Sequence, residues 1–221
     1  MTDALINVNG SNVQSLDIIL LMAVLTLLPS LVVMMTTFTR YVVVFSFLRT
    51  AMGTQQAPPN MVLVGMALIL TLFTMTPTLD AVKTEAYDPY AAGEITQEEF
   101  FDQAQVPLKE FMLRNTVPDS LELYCNMADV PAPEDDAAAA DLPMRVVLPA
   151  FVTTELKQAF WMGFLLYIPF MLIDVIVSST LMSMGMIMLP PSMISTPFKI
   201  LLFIMLDGWQ LLFSTLITTV N

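Results

Sequence analysis

Few residues in this chain can do chemistry, and two of them lie where charge is expensive. Asp174 falls inside an apolar segment and Lys199 near the start of the next. An ionised carboxylate at the centre of a membrane-spanning helix costs about 2.5 to 3.5 kcal/mol on insertion scales, so Asp174 needs a partner, and Lys199 is the obvious one. Asp174 lies 16 residues before Pro190-Pro191 and Lys199 8 after it, so a contact within one hairpin requires a shifted or bent geometry. A pair between subunits, and a gating or proton-coupled role, stay open beside it. The remaining candidates are soft rather than charged. Met182, Met184, Met186 and Met188 alternate along the chain, and the run ends in Leu189-Pro190-Pro191 between two apolar segments. Methionine is unbranched and polarizable, so such loops from several subunits can close around a hole and re-pack as something passes. The plainer reading makes the same residues gap-fillers of a hairpin turn.

Other chemistries are excluded by residues the chain lacks. There is no histidine, which removes histidine acid-base catalysis, Ser-His-Asp triads and nearly all catalytic zinc sites. The single cysteine, Cys125, forms neither an intrachain disulfide nor a thiolate cluster and is assigned no role. No cofactor or metal is expected. Hydrophobic residues make up 56% of the 221, charged residues only 13%, and mean hydropathy is +0.72, a balance that belongs to an integral membrane protein. The net charge of −12 is concentrated: residues 80 to 157 hold 16 of the 20 acidic and 5 of the 8 basic residues. An acidic domain of this kind does not bind nucleic acid, which requires clustered Lys and Arg.

Four apolar segments must position these residues: Ile18 to Phe38, Met61 to Leu79, Ala159 to Met182 and Pro197 to Val220. Each is near the ~20 residues of a spanning helix. The expected fold is all-α, with an N-terminal helical hairpin over 1–79, an acidic helical domain over 80–157 and a C-terminal hairpin over 158–221 that carries the methionine loop. The first apolar run continues past Arg40 to Leu48, and Pro29 is expected to kink it. Arg40 and Arg49 follow the first segment and read as anchors at its cytoplasmic end, which places the acidic domain and both termini in the periplasm of a Gram-negative cell. The start Met1-Thr2-Asp3-Ala4 has no basic stretch, so no cleavable signal peptide is legible and a translocated N-terminus reads as that of a mature form.

In the acidic domain, Thr96-Gln97-Glu98-Glu99 reads as a helix start with acidic residues in its first turn. Leu108, Phe111 and Met112, then Leu121, Leu123 and Tyr124, predict short amphipathic helices. Glu155 and Lys157 read as exposed helix-end charges. Gly208 in Asp207-Gly208-Trp209 reads as a helix-interior glycine that permits close packing, with Trp209 filling the gap beside it.

The order of short motifs along the chain is more specific than any one of them: Gln55-Gln56-Ala57-Pro58-Pro59-Asn60, Phe111-Met112-Leu113-Arg114, Leu148-Pro149-Ala150-Phe151, Ile168-Pro169-Phe170, the methionine loop, Pro197-Phe198-Lys199 and Asp207-Gly208-Trp209. In this order the chain resembles the FliP family of type III protein-export-gate membrane proteins over nearly its whole length. The virulence-associated injectisome homologues look similar in both hairpins, and Pro107 to Arg114 looks flagellar. Flagellar members usually begin with a signal peptide, a point of departure here. The resemblance implies a non-catalytic core subunit in the inner membrane and flagellar basal body. Several copies, with FliR and FliQ, would form a ring-like or helical pore for unfolded flagellar subunits. FliO is implied as an assembly factor and FlhA and FlhB as further partners. It also implies that apolar helices face neighbouring subunits as well as membrane lipid. Two other classes are weighed against this reading. A proton-coupled small-solute transporter is disfavoured by the missing inverted repeat and the few spans, and an intramembrane enzyme by the lack of histidine and of paired carboxylates in the apolar segments.

Overall fold

The computed structural model describes residues 5–8, 11–14, 22, 26, 30, 33–54, 56–133, 135–186 and 188–220. The fold is all-helical apart from a short antiparallel hairpin, β1 (Leu5–Val8) and β2 (Ser11–Gln14), in which Leu5 pairs with Gln14 and Val8 with Ser11. Most of the first apolar segment, including Pro29 and its expected kink, lies outside the described residues.

Helix α1 (Phe38–Met52) contains the run Val42-Val43-Val44, whose β-branched residues are weak helix formers. Burial overrides that preference: Tyr41, Val44, Phe45 and Leu48 are almost completely buried. The helix ends at Gly53 in the left-handed conformation, and a turn through Pro58-Pro59 starts α2 (Asn60–Val82). α2 does not stop at the end of its apolar stretch. It continues through a π turn (Lys83–Tyr87) into α3 (Asp88–Ala91), giving a rod of 32 residues. Pro89 has no N–H to return to the preceding turn, and the Asp88 N–H bonds instead to the Lys83 carbonyl, five residues back.

The acidic domain contributes α4 (Gln97–Arg114), α5 (Pro118–Met127) and α6 (Asp136–Ala140). α4 opens on a capping box: the Glu99 N–H donates to the Thr96 hydroxyl, and the Thr96 N–H donates back to the Glu99 carboxylate at 2.7 Å. Helix α7 (Met144–Ser183) then runs 40 residues, about 60 Å at 1.5 Å per residue and about twice the hydrocarbon thickness of a bilayer. It passes residue 157 without a break and serves two cores. Its first turns, through Val146, Val147 and Phe151, pack with Phe111, Met112 and Cys125 of α4 and α5 and with Met75 of α2. Its later turns, at Ala159 and Phe170, pack with α1, with Leu63 and Ala67 of α2, and with the C-terminal helix.

The last apolar segment is not the single helix expected from hydropathy. It forms α8 (Pro191–Met205) and α9 (Gly208–Thr218), bent by 64° across Leu206 and Asp207. Asp207 takes a left-handed conformation that ends one helix and starts the next, so Gly208 is the first residue of α9 and not a helix-interior residue. By length and composition two helices can cross a membrane, Asn60–Ala91 and Met144–Ser183, and the bent pair adds a third if it is one span. Large apolar side chains remain bare along both rods, among them Met61, Ile69 and Phe73 on α2 and Trp161, Phe164 and Ile176 on α7. In water such a surface would drive association, and in a membrane or an assembly it is the contact surface.

Candidate functional site

Asp174 and Lys199 meet within the chain. Lys199 Nζ lies 2.6 Å from Asp174 Oδ2, and the Ser195 hydroxyl donates to Oδ1 of the same carboxylate at 2.6 Å. Lys199 also donates to the Ala51 carbonyl at 3.1 Å, one of the acceptors that the end of α1 leaves without an intrahelical partner. No shifted geometry is required, because the turn occupies residues 184–190 and is not centred on Pro190-Pro191. Asp174 is nine residues before the end of α7 at Ser183, and Lys199 is eight after the start of α8 at Pro191, so the two reach the same level. The lysine is buried, whereas the Asp174 side chain keeps 39% of its surface exposed.

A second ion pair lies deeper, and the sequence reading missed it. Arg40 and Glu155 are both completely buried. The guanidinium is bidentate, its Nε donating to Glu155 Oε2 at 2.8 Å and its Nη2 to Oε1. Nη1 donates to the Thr219 carbonyl at 2.9 Å and to its hydroxyl at 3.3 Å, so one arginine joins α1, α7 and the end of α9. Glu155 is therefore not an exposed helix-end charge, and Arg40 is not a surface anchor. The positive-inside argument loses one of its two arginines. A signal for both burials was in the spacing. Val147, Phe151, Glu155, Ala159 and Gly163 form one i+4 row of α7, and Arg40, Val44, Leu48 and Met52 one row of α1. Each charge occupies an apolar row and so faces a core.

The methionine loop is built around a helix stop. Gly185 at φ +77° follows the last residues of α7; its N–H bonds to the Met182 carbonyl, and the Met186 N–H to the Leu181 carbonyl, both at 3.0 Å. This double bond pattern needs a left-handed residue, which glycine supplies without a Cβ clash. Pro190 and Pro191 then open α8, where a missing N–H costs nothing. Met182, Met184, Met186 and Met188 are all exposed, Met188 almost completely at 97%. They do not fill the hairpin turn of their own chain. The loop lies some 32 residues of continuous helix from Phe151, about 50 Å from the acidic domain's core.

The comparisons decide what kind of protein carries this arrangement. The model of the FliP family matches residues 21–216. The flagellar biosynthetic protein FliP of Aquifex aeolicus (strain VF5) is 46% identical over 208 residues, covering 94% of this chain and 87% of that protein. Those of Pectobacterium carotovorum subsp. carotovorum and Bacillus subtilis (strain 168) are 47% and 46% identical, covering 98% and 93% of this chain and 83% and 92% of theirs. The chain belongs to the FliP family.

Membership makes it a membrane component of the flagellar export apparatus and not an enzyme. Among the described residues no group of three or more Cys, Asp or Glu is placed to hold a metal ion. The two ion pairs join helices: Lys199 ties α8 to α7 and to the end of α1, and Arg40 ties α1 to α7 and to the end of α9.

Proposed function

We propose that the chain is a core subunit of the flagellar type III protein export gate in the bacterial inner membrane. Several copies assemble with FliR and FliQ into the ring-like or helical pore through which unfolded flagellar subunits leave the cytoplasm. The observation that carries this reading is the methionine loop: four apolar, flexible side chains exposed together on a rigid helix stop, with no core of their own chain to enter. When each copy contributes Met184, Met186 and Met188, the side chains form a soft seal that blocks ions and parts for a polypeptide. The acidic domain faces the periplasm, with Arg49 at the opposite, cytoplasmic end of the α1–α2 connection. FliO assists assembly, and FlhA and FlhB join the finished gate. The test is the mass of the detergent-extracted complex after co-expression with FliQ and FliR. A stable hetero-oligomer of more than a few copies supports the gate, and a monomer that moves solute in reconstituted vesicles overturns it.

A further inference from the structure

The C-terminal hairpin holds three charges, and only two of them are matched. Over residues 158–221 the acidic residues are Asp174 and Asp207, and the one basic residue is Lys199. Lys199 is committed to Asp174, so Asp207 has no counter-charge in its own hairpin. Among the described residues the Asp207 carboxylate enters no ion pair or hydrogen bond, and the Trp209 indole N–H and the Gln210 amide donate to nothing in the chain. Asp207 and Gln210 are exposed, and with Trp209 they line a pocket of about 280 Å3 at the bend between α8 and α9. Phe203 and Gly208 belong both to this pocket and to a larger open groove beside it, of about 320 Å3. The two are in close contact, since a Cβ on Gly208 would lie 2.3 Å from the Phe203 ring, and together they form the wall that the two spaces share.

The groove is lined by Val44, Leu165, Pro169, Leu202 and Leu212 among others. Thr215 is its one lining residue with a polar side chain, and that hydroxyl donates to the Leu211 carbonyl of its own helix at 2.8 Å. No side chain there is left to satisfy a polar group, so the groove accepts hydrocarbon. Its depth matches the edge of a bilayer. Leu165 and Leu206 line it together, and the end of α7 at Ser183 is some 18 residues beyond Leu165, about 27 Å and close to the hydrocarbon thickness. The chain has two tryptophans, and both lie at this level: Trp161 four residues before Leu165, Trp209 three after Leu206. Tryptophan concentrates where hydrocarbon meets water.

We infer that groove and pocket form a phospholipid site, selective for a lipid with a primary ammonium headgroup, phosphatidylethanolamine. One acyl chain lies in the groove. The ammonium sits against the Asp207 carboxylate and the Trp209 ring, and the Trp209 N–H and the Gln210 amide are the donors left for the phosphate. A protein partner would have to bring a cation and an apolar ridge to the same place, whereas this lipid carries both in one molecule at the depth where lipid headgroups lie. An anionic lipid brings no cation and sets a like charge beside Asp207. The inference rests on the chain being a membrane protein and not on the export-gate reading.

The test uses the full chain in detergent with Trp161→Phe, which leaves Trp209 as the single tryptophan. Phospholipids with brominated acyl chains are titrated in, and quenching of Trp209 fluorescence is read. Phosphatidylethanolamine is expected to reach half-quenching at about one fifth of the concentration that phosphatidylglycerol with the same chains requires. Asp207→Asn, which keeps the size of the side chain and tolerates the left-handed backbone, brings the two lipids within about two-fold of each other. Thr215→Phe fills the groove from an exposed position and weakens both lipids alike, leaving their ratio unchanged. Equal quenching by the two lipids in the parent, a preference that survives Asp207→Asn, or quenching indifferent to Thr215→Phe overturns the site. So does a Trp209 that no lipid quenches and whose emission shifts with protein concentration, because a second copy then covers the groove.

Discussion

Arg40 and Lys199 hold the two ends of one helix. Arg40 is the third residue of α1, and Lys199 bonds to the Ala51 carbonyl in its last turn, 11 residues or about 16 Å further along. Each cation brings a carboxylate from α7 with it, Glu155 at one end and Asp174 at the other. α1 and α7 are thereby pinned side by side at two levels, with Phe47 and Phe160 in edge contact between them at 5.2 Å.

The two pins are unequal, and their burial argues for a different order than hydropathy does. From hydropathy, Asp174→Ala is expected to do more harm than Glu155→Ala. For stability of the fold, burial points the other way. Removing Glu155 leaves a fully buried guanidinium without a counter-charge, its bonds to Thr219 notwithstanding, and costs about 3 to 5 kcal/mol, whereas the Asp174 side chain is 39% exposed and its pair is correspondingly weaker. Thermal unfolding in detergent should therefore fall further for Glu155→Ala, and the double replacement Arg40→Met with Glu155→Leu should recover most of the loss.

Gly185→Ala has no steric obstacle, since nothing lies within 4 Å of a Cβ built there. It should still destabilise the helix stop by about 1 to 2 kcal/mol, because the residue must remain left-handed. The expected readout is increased protease cleavage between Met184 and Met188 with the rest of the fold unchanged.

The seal proposed for the pore makes its own prediction. Met184, Met186 and Met188 all changed to alanine removes side chains that touch little of their own chain, so the complex should assemble while the closed gate leaks ions. Conductance across a membrane holding the complex measures this. A variant that assembles and stays as tight as wild type removes the seal.

The start of α4 should respond to acid. The Thr96 backbone N–H, and after it the Thr96 hydroxyl, hold the Glu99 carboxyl below the ordinary glutamate range. A folded-state value lower than the unfolded one means that the contribution is present above the ordinary glutamate range and disappears as pH falls through the depressed value. Amide exchange at the first turn of α4 should rise on acidification, and Glu99→Gln should flatten that dependence.

The helices were legible where a pattern was local. Thr96 with Glu98 and Glu99 marks a helix start, and the spacing of Leu108, Phe111 and Met112 marks its inner face. The bend at Asp207 was not legible, because Pro197 to Met205 and Gly208 to Val220 are equally apolar and hydropathy averages across a two-residue break. The Arg40–Glu155 pair is hidden for a different reason: 115 positions separate the two residues, and each taken singly is a charge near a segment end. The i+4 rows that contain them carried the information, but only when the charge is read as part of its row.

The continuous 40 residues of α7 make it a lever arm. Its root is clamped in the acidic domain at Val147 and Phe151, and its tip carries Met182 and Met184. Over a length of about 50 Å, a tilt of about 5° at the root sweeps the tip through about 4 Å, roughly the width of a methionine side chain. A disturbance felt at the acidic domain thus arrives at the methionine loop as a displacement large enough to part or close the proposed seal.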